Sequence, residues 1–215
     1  MEGIDFSSPL ESLIDSAASA RGTNEDDAWL HTVLPAALLG RTPPHLTQSE
    51  LSRVMRWKLK SGKMRPNLQK FIDSLGAADV QRCSQAAFAA LPLKGGEGLK
   101  AALRHLCELK GVGPATASLV LSLYQPTRCA FMSDEALLLL LGEKKYTERE
   151  CVQLTELCAA RARELGPPWT AQRVQRCIWA SQVIKRQGGA AGAGSSSGGA
   201  GAAVGGKKRK RSPSP

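Results

Sequence analysis

Two groups of residues in this chain could do chemistry: the run Leu109-Lys110-Gly111-Val112-Gly113-Pro114-Ala115-Thr116-Ala117 and, downstream, the acid pair of Ser133-Asp134-Glu135. Gly111 and Gly113 permit positive φ and the close approach of another chain, and Pro114 presets a helix start where its missing amide would be unpaired in any case. Free amides beside the positive end of a helix macrodipole bind a phosphate, and such contacts grip nucleic acid by its backbone without reading sequence. Lys110, Gly111, Val112, Gly113, Ala115 and Thr116 are the candidate contacts. A fixed carboxylate such as Asp134 stabilises developing positive charge and orients or deprotonates a water. Plain alternatives stand beside both readings. A G-x-G turn also joins packed helices in ordinary αα-hairpins, and an aspartate early in a helix caps amides and suits the dipole without any chemistry. Ser133 is the competing cap, which would leave Asp134 or Glu135 free.

The elements that must position these groups are helices. Leu99, Leu103 and Leu106 fall at helical spacing over 98–109, and Ala117, Val120, Leu121 and Tyr124 repeat the stripe beyond the turn. Nearly every segment before Gly188 carries helix periodicity or punctuation, and none alternates apolar with polar residues, so an all-α domain over 1–187 is expected. Helix starts are expected at Ser8-Pro9, at the capping boxes Thr47-x-x-Glu50 and Thr147-x-x-Glu150, and at Thr170; stops are expected at Gly40, Gly62, Gly142 and Gly166.

LKGVGPATA resembles the helix-hairpin-helix motif of the DNA glycosylase superfamily, which reads L-P-G-(V/I)-G-x-x-T-A and sets an aspartate at the distance of Asp134 from Ala115. The resemblance covers 98–141. More narrowly, Arg56-Trp57-Lys58-Leu59 and the stretch from Gly111 to Asp134 resemble the Amun-like group of nuclear glycosylase-like proteins. It implies a two-lobed helical fold and an Asp134 that acts on a nucleotide whose base has left the stack, where cleavage builds positive charge on the sugar. In bifunctional members a hairpin lysine attacks the sugar; Ala115 stands at that place here, which resembles the monofunctional, alkyl-base branch and makes lyase chemistry by that route unexpected. The carbonyls of Cys107, Leu109 and Val112 are the positions that would hold the monovalent cation seen in relatives. Glu135-Ala136-Leu137 departs from the family, which sets threonine, histidine or a second aspartate around its acid.

Composition agrees with a globular body, being 42% hydrophobic and 22% charged over 215 residues. No apolar run reaches membrane-spanning length, and the start Met1-Glu2-Gly3-Ile4-Asp5 is unlike a signal peptide. A soluble intracellular monomer is expected. The formal charge of +10 is uneven, since Lys207, Lys208, Arg209, Lys210 and Arg211 supply half of it. That block, in 207–215, follows a Gly/Ala/Ser-rich stretch over 188–206 that reads as a disordered linker, and it suits a nuclear localisation signal read by an import receptor. The bland alternative is nonspecific affinity for nucleic acid.

A second DNA surface is expected at Arg53, Arg56, Trp57, Lys60 and Lys63, with Lys58 and Arg65 nearby, because no acid interrupts the run and an aromatic is interleaved. A solvated face with Trp57 packed inward is the alternative. Cys151 and Cys158 open an iron-sulfur spacing, yet only Cys177 follows, and both share a helical stripe with Leu154, Ala162 and Leu165, so neither a cluster nor another metal site is expected. Three functions stay open: a nuclear monofunctional DNA glycosylase of base excision repair, a catalytically inactive duplex-binding module serving chromatin or transcription, and a helical protein-interaction scaffold.

Overall fold

The computed structural model describes residues 1, 3–7, 9–92 and 96–193, and all regular structure among them is helical. The order is α1 (Leu10–Arg21), α2 (Asn24–Ala28), a π turn (Trp29–Val33), α3 (Leu34–Leu39), α4 (Gln48–Ser61), α5 (Pro66–Asp73), α6 (Ala77–Ala90), α7 (Gly96–Cys107), α8 (Pro114–Tyr124), α9 (Asp134–Leu141), α10 (Glu148–Leu165) and α11 (Ala171–Ala193).

Local signals set most boundaries. Thr47 and Thr147 each accept the amide of the glutamate three residues on, while Glu50 and Glu150 return bonds to the cap amides, so both capping boxes close at both ends. Helices end at or beside Gly40, Gly62, Gly142 and Gly166 as the spacing predicts. Thr170 accepts the Arg173 amide at the start of α11. That helix runs to Ala193, past the expected end of the domain near Gly188. The rest of the expected linker and the basic block Lys207–Arg211 lie outside the described residues.

The core forms around α8, whose residues from Thr116 to Leu123 are all buried, between α7, α3, α10 and α4. Leu119, Leu121 and Leu123 are essentially sealed, each such side chain contributing about 1.5–3 kcal/mol by leaving water. Cys151 and Cys158 lie fully buried on the inner stripe of α10 with Leu154 and Ala162, and burial pushes the Cys158 thiol up to about 12. A second, smaller cluster packs Leu10, Ile14 and Ala17 of α1 against Cys177, Trp179, Ala180 and Val183 of α11. No described helix is long and apolar enough to cross a membrane.

Candidate functional site

The turn at 108–113 between α7 and α8 begins where α7 ends, two residues short of the expected 109, and it leans more on the protein itself than its sequence predicts. Gly111 has φ +90°, and a Cβ there would stand 3.0 Å from the Phe71 Cβ of α5. The close approach that this glycine permits is therefore made by α5. Gly113 is extended at φ −107°, which corrects the expected positive φ, but open space surrounds its missing Cβ. Val112 donates its amide to Leu109 and buries its side chain, while Thr116 is buried with its amide on the Gly113 carbonyl. Neither has an amide to offer outward. The amides of Gly111, Gly113 and Ala115 have no protein acceptor among the described residues, and Gly113 and Ala115 sit at the N-terminus of α8. Lys110 lies over the Phe71 ring at 4.6 Å.

Asp134 is positioned by several helices. Ser118 of α8 accepts the Met132 amide at 3.0 Å, and Thr155 of α10 accepts that of Ala130 at 3.3 Å, which fixes the strap leading into α9. Ser133 is the cap, accepting the Ala136 amide, and its hydroxyl also takes a bond from the buried Gln175 of α11. With the capping role taken, the Asp134 carboxylate faces outward, its side chain 43% exposed. Glu135 turns inward to Arg186 at 3.0 Å and Arg21 at 3.5 Å.

Lys144 reaches one Asp134 oxygen at 2.6 Å and the Tyr146 hydroxyl donates to the other. Burial works to raise the Asp134 pKa, but bonds from Lys144 and Tyr146, with the charges of Lys144 and Lys58, outweigh it and hold the acid below its ordinary 3.8. It is ionised at neutral pH. Burial, then the bond to Asp134, pushes the Tyr146 phenol upward. Tyr146 adopts φ +57°, a left-handed conformation that costs a non-glycine residue about 1–2 kcal/mol and that its bond to Asp134 offsets.

These groups share one cleft of about 700 Å³. The turn contributes Gly111 and Gly113 to its wall, and the start of α8 contributes Pro114, Ala115 and Thr116; Asp134 and Tyr146 face it; and Arg21, Lys58, Lys63, Arg65, Lys144 and Arg186 outnumber the acids Asp134 and Glu135. The net field favours an anion.

The expected second DNA surface does not assemble. Trp57 is 3% exposed and packs edge-on against His31 and near Trp179, so it cannot stack on a base, because it lies on the face of α4 that the neighbouring helices cover. Arg53 pairs with Asp26 at 3.0 Å and lies over Trp29, and Lys60 reaches the same acid at 3.5 Å, so an α2 carboxylate neutralises what α4 alone leaves bare. Arg56 is exposed, and Lys63 is the one member of that set lining the cleft.

Lys144 and Tyr146, not foreseen from sequence, had a readable signal. An eight-residue helix such as α9 is about 12 Å long. Gly142, left-handed at φ +75°, reverses the chain, and the four residues 143–146 then span about 13 Å before the Thr147 cap, enough to return to the start of α9. Arg21 and Arg186 arrive from the two ends of the chain, and no local pattern announces them.

Among the described residues, no group of three or more His, Cys, Asp or Glu side chains is arranged to hold a metal ion. No family model matches the chain, and no curated protein or solved structure matches it.

Proposed function

We propose that the cleft binds DNA and that the chain is a nuclear, monofunctional glycosylase-like protein, with Asp134 acting on the sugar of a nucleotide turned out of the duplex. The observation that carries the reading is the meeting, in one opening, of unpartnered amides at a helix N-terminus, a surplus of cations and an ionised carboxylate. A volume of about 700 Å³ also falls within the range of pockets that enclose a ligand. Gly113 and Ala115 would hold one phosphate, and Lys63 and Arg65 the neighbouring ones. A carboxylate of depressed pKa is a weak base, so Asp134 acts chiefly by stabilising the sugar cation and orienting water. The Cys107 and Val112 carbonyls accept no protein hydrogen bond among the described residues, while that of Leu109 accepts Val112; neutral oxygens of this kind suit a monovalent cation, which would add positive charge beside the phosphate. The block Lys207–Arg211 would direct the protein to the nucleus through an import receptor.

One observation favours a second reading, an inactive DNA-binding module: Lys144 and Tyr146 engage both oxygens of Asp134. The two are separated by incubating the full chain with a panel of duplexes carrying damaged bases. Base release that disappears in Asp134→Asn supports the enzyme. Salt-sensitive binding, indifferent to Asp134→Asn and without release from any duplex, supports the module. A chain that binds no duplex refutes both.

A further inference from the structure

We infer that Lys58 and Ser61 form an oxyanion-binding subsite inside the cleft, and that the nucleotide it selects carries a carboxylate on its base. The inference rests on the reading of the cleft as a DNA site but not on any base being released there.

Most cations of the cleft are committed to an acid or stand in the open. Lys144 pairs with Asp134 at 2.6 Å, and Arg186 and Arg21 share Glu135 at 3.0 and 3.5 Å. Lys63 and Arg65 are exposed on the loop after α4, where they suit strand phosphates. Lys58 differs from all of these. It lines the cleft half-buried near the end of α4, and no carboxylate pairs with it among the described residues. At the i+3 position, which shares that face of the helix, Ser61 is 5% exposed and lines the same cleft, and its hydroxyl has no hydrogen-bond partner among the described residues. Burial, helped by the Arg65 charge and opposed by that of Asp134, holds the Lys58 pKa below the ordinary 10.5, so the ammonium lacks stabilisation that a bound anion would supply.

An ammonium and a hydroxyl on one helix face are donors in want of an acceptor. Buried polar groups are rarely left unpaired, and the two oxygens of one carboxylate answer both donors at once. The strand phosphates of a duplex stay outside a cleft that only a turned-out nucleotide enters, so the anionic group belongs to the base. Leu59, Phe131 and Trp179, buried side chains that line the same cleft, offer the apolar surface against which the plane of a base packs. A base that is itself positively charged, as a ring-alkylated purine is, meets six cations against two acids and is disfavoured by the same field.

The test titrates the full chain with duplexes that differ at one base: cytosine, 5-carboxylcytosine, its neutral 5-carboxamide, and the cationic 7-methylguanine. Preference is read as a ratio of affinities at one salt concentration, so a general weakening of duplex binding cancels. We expect 5-carboxylcytosine to bind at least about tenfold more tightly than cytosine, as a hydrogen bond between charged groups would give, and neither the carboxamide nor 7-methylguanine to share the gain. Carboxylate and carboxamide are compared on the unmodified chain, so that result stands even if a variant folds poorly. Lys58→Gln should bring the ratio close to unity and Ser61→Ala should reduce it, whereas Lys100→Gln, altering a lysine paired with Glu97 outside the cleft, should keep it. Equal binding of carboxylate and carboxamide overturns the inference, as does tighter binding of 7-methylguanine or a ratio that Lys58→Gln or Ser61→Ala leaves unchanged. A gain that depends on Lys58 and comes instead from the 5′ phosphate of a nicked duplex, measured against a 5′ hydroxyl, also overturns it, because the subsite would then hold the strand. Duplexes all bound alike refute the subsite and leave the DNA-binding reading standing; a chain that binds no duplex loses both.

Discussion

Asp134 and Asp27 are both carboxylates beside cations, and their settings are opposite. Asp27 lies 6% exposed on α2, paired with Arg176 at 2.6 Å against His31, Trp57 and Trp179. The space among those groups is about 10 Å³, enough for roughly one water. Burial raises the Asp27 pKa despite the Arg176 charge, lowers that of Arg176, and together with Arg176 drives His31 well down, leaving it neutral. Asp134 faces a cleft some seventy times larger, and there the bonds and charges outweigh burial. A carboxylate with cationic neighbours is thus a lock when sealed and a candidate reagent when open. Access to space, more than the company of charges, distinguishes them.

The largest effect should come from removing the lock. Asp27→Ala leaves Arg176 buried and unpaired, which we expect to cost about 3–5 kcal/mol in urea unfolding. Asp134→Ala, which loses the exposed bonds of Tyr146 and Lys144, should cost only about 1 kcal/mol; if it unfolds the chain while Asp27→Ala is silent, the contrast is inverted. Next in size is Tyr146→Phe. It deletes a bond to a charged but substantially exposed group while keeping the left-handed backbone, for an expected loss of about 1 kcal/mol together with a rise in the Asp134 pKa, read by carbon NMR titration. Lys144→Ala should raise the same pKa, since Lys144 supplies both a bond and a charge, but this exposed ion pair is expected to be worth only about 0–1 kcal/mol. An Asp134 pKa that does not move in either variant would mean that neither group holds the carboxylate in solution.

The contrast was half legible in the sequence. Both capping boxes, the Ser133 cap and the glycine stops are patterns of three or four residues, settled by the backbone's need to pair its own amides, and they place Asp134 without any tertiary knowledge. The cations around Asp134 come from α1, α4, the strap after α9 and α11, and only packing gathers them. Trp57 shows the limit from the other side. Its neighbours Arg53, Arg56 and Lys60 suggest a solvated face, yet α4 also buries Ser52 and Ser61, so polarity understates how much of this helix the core encloses. Asp26 could not be foreseen as the acid quenching Arg53, because the pair spans from α2 to α4. Gly111 was legible as an obligatory glycine, while the identity of what approaches it, Phe71, was not.

The smallest effect is also the one whose sign discriminates most sharply. The folded pKa of Asp134 is depressed, so its contribution to stability is present above the unfolded value near 3.8 and is withdrawn as the pH falls through the folded value. That of Asp27 is raised, so its contribution is whole below 3.8 and is lost as the pH rises through the folded value. The stability difference between the unmodified chain and Asp134→Asn should therefore increase with pH and level off above about 3.8, remaining below about 1 kcal/mol because the carboxylate is substantially exposed. The difference for Asp27→Asn should run the other way, falling as the pH climbs from 3.8 through the folded value, the Arg176 attraction being already part of that shift. Urea melts at a series of acidic pH values measure both slopes. Two slopes of the same sign would show that one of these carboxylates keeps different company in solution from the sealed lock or the open cleft.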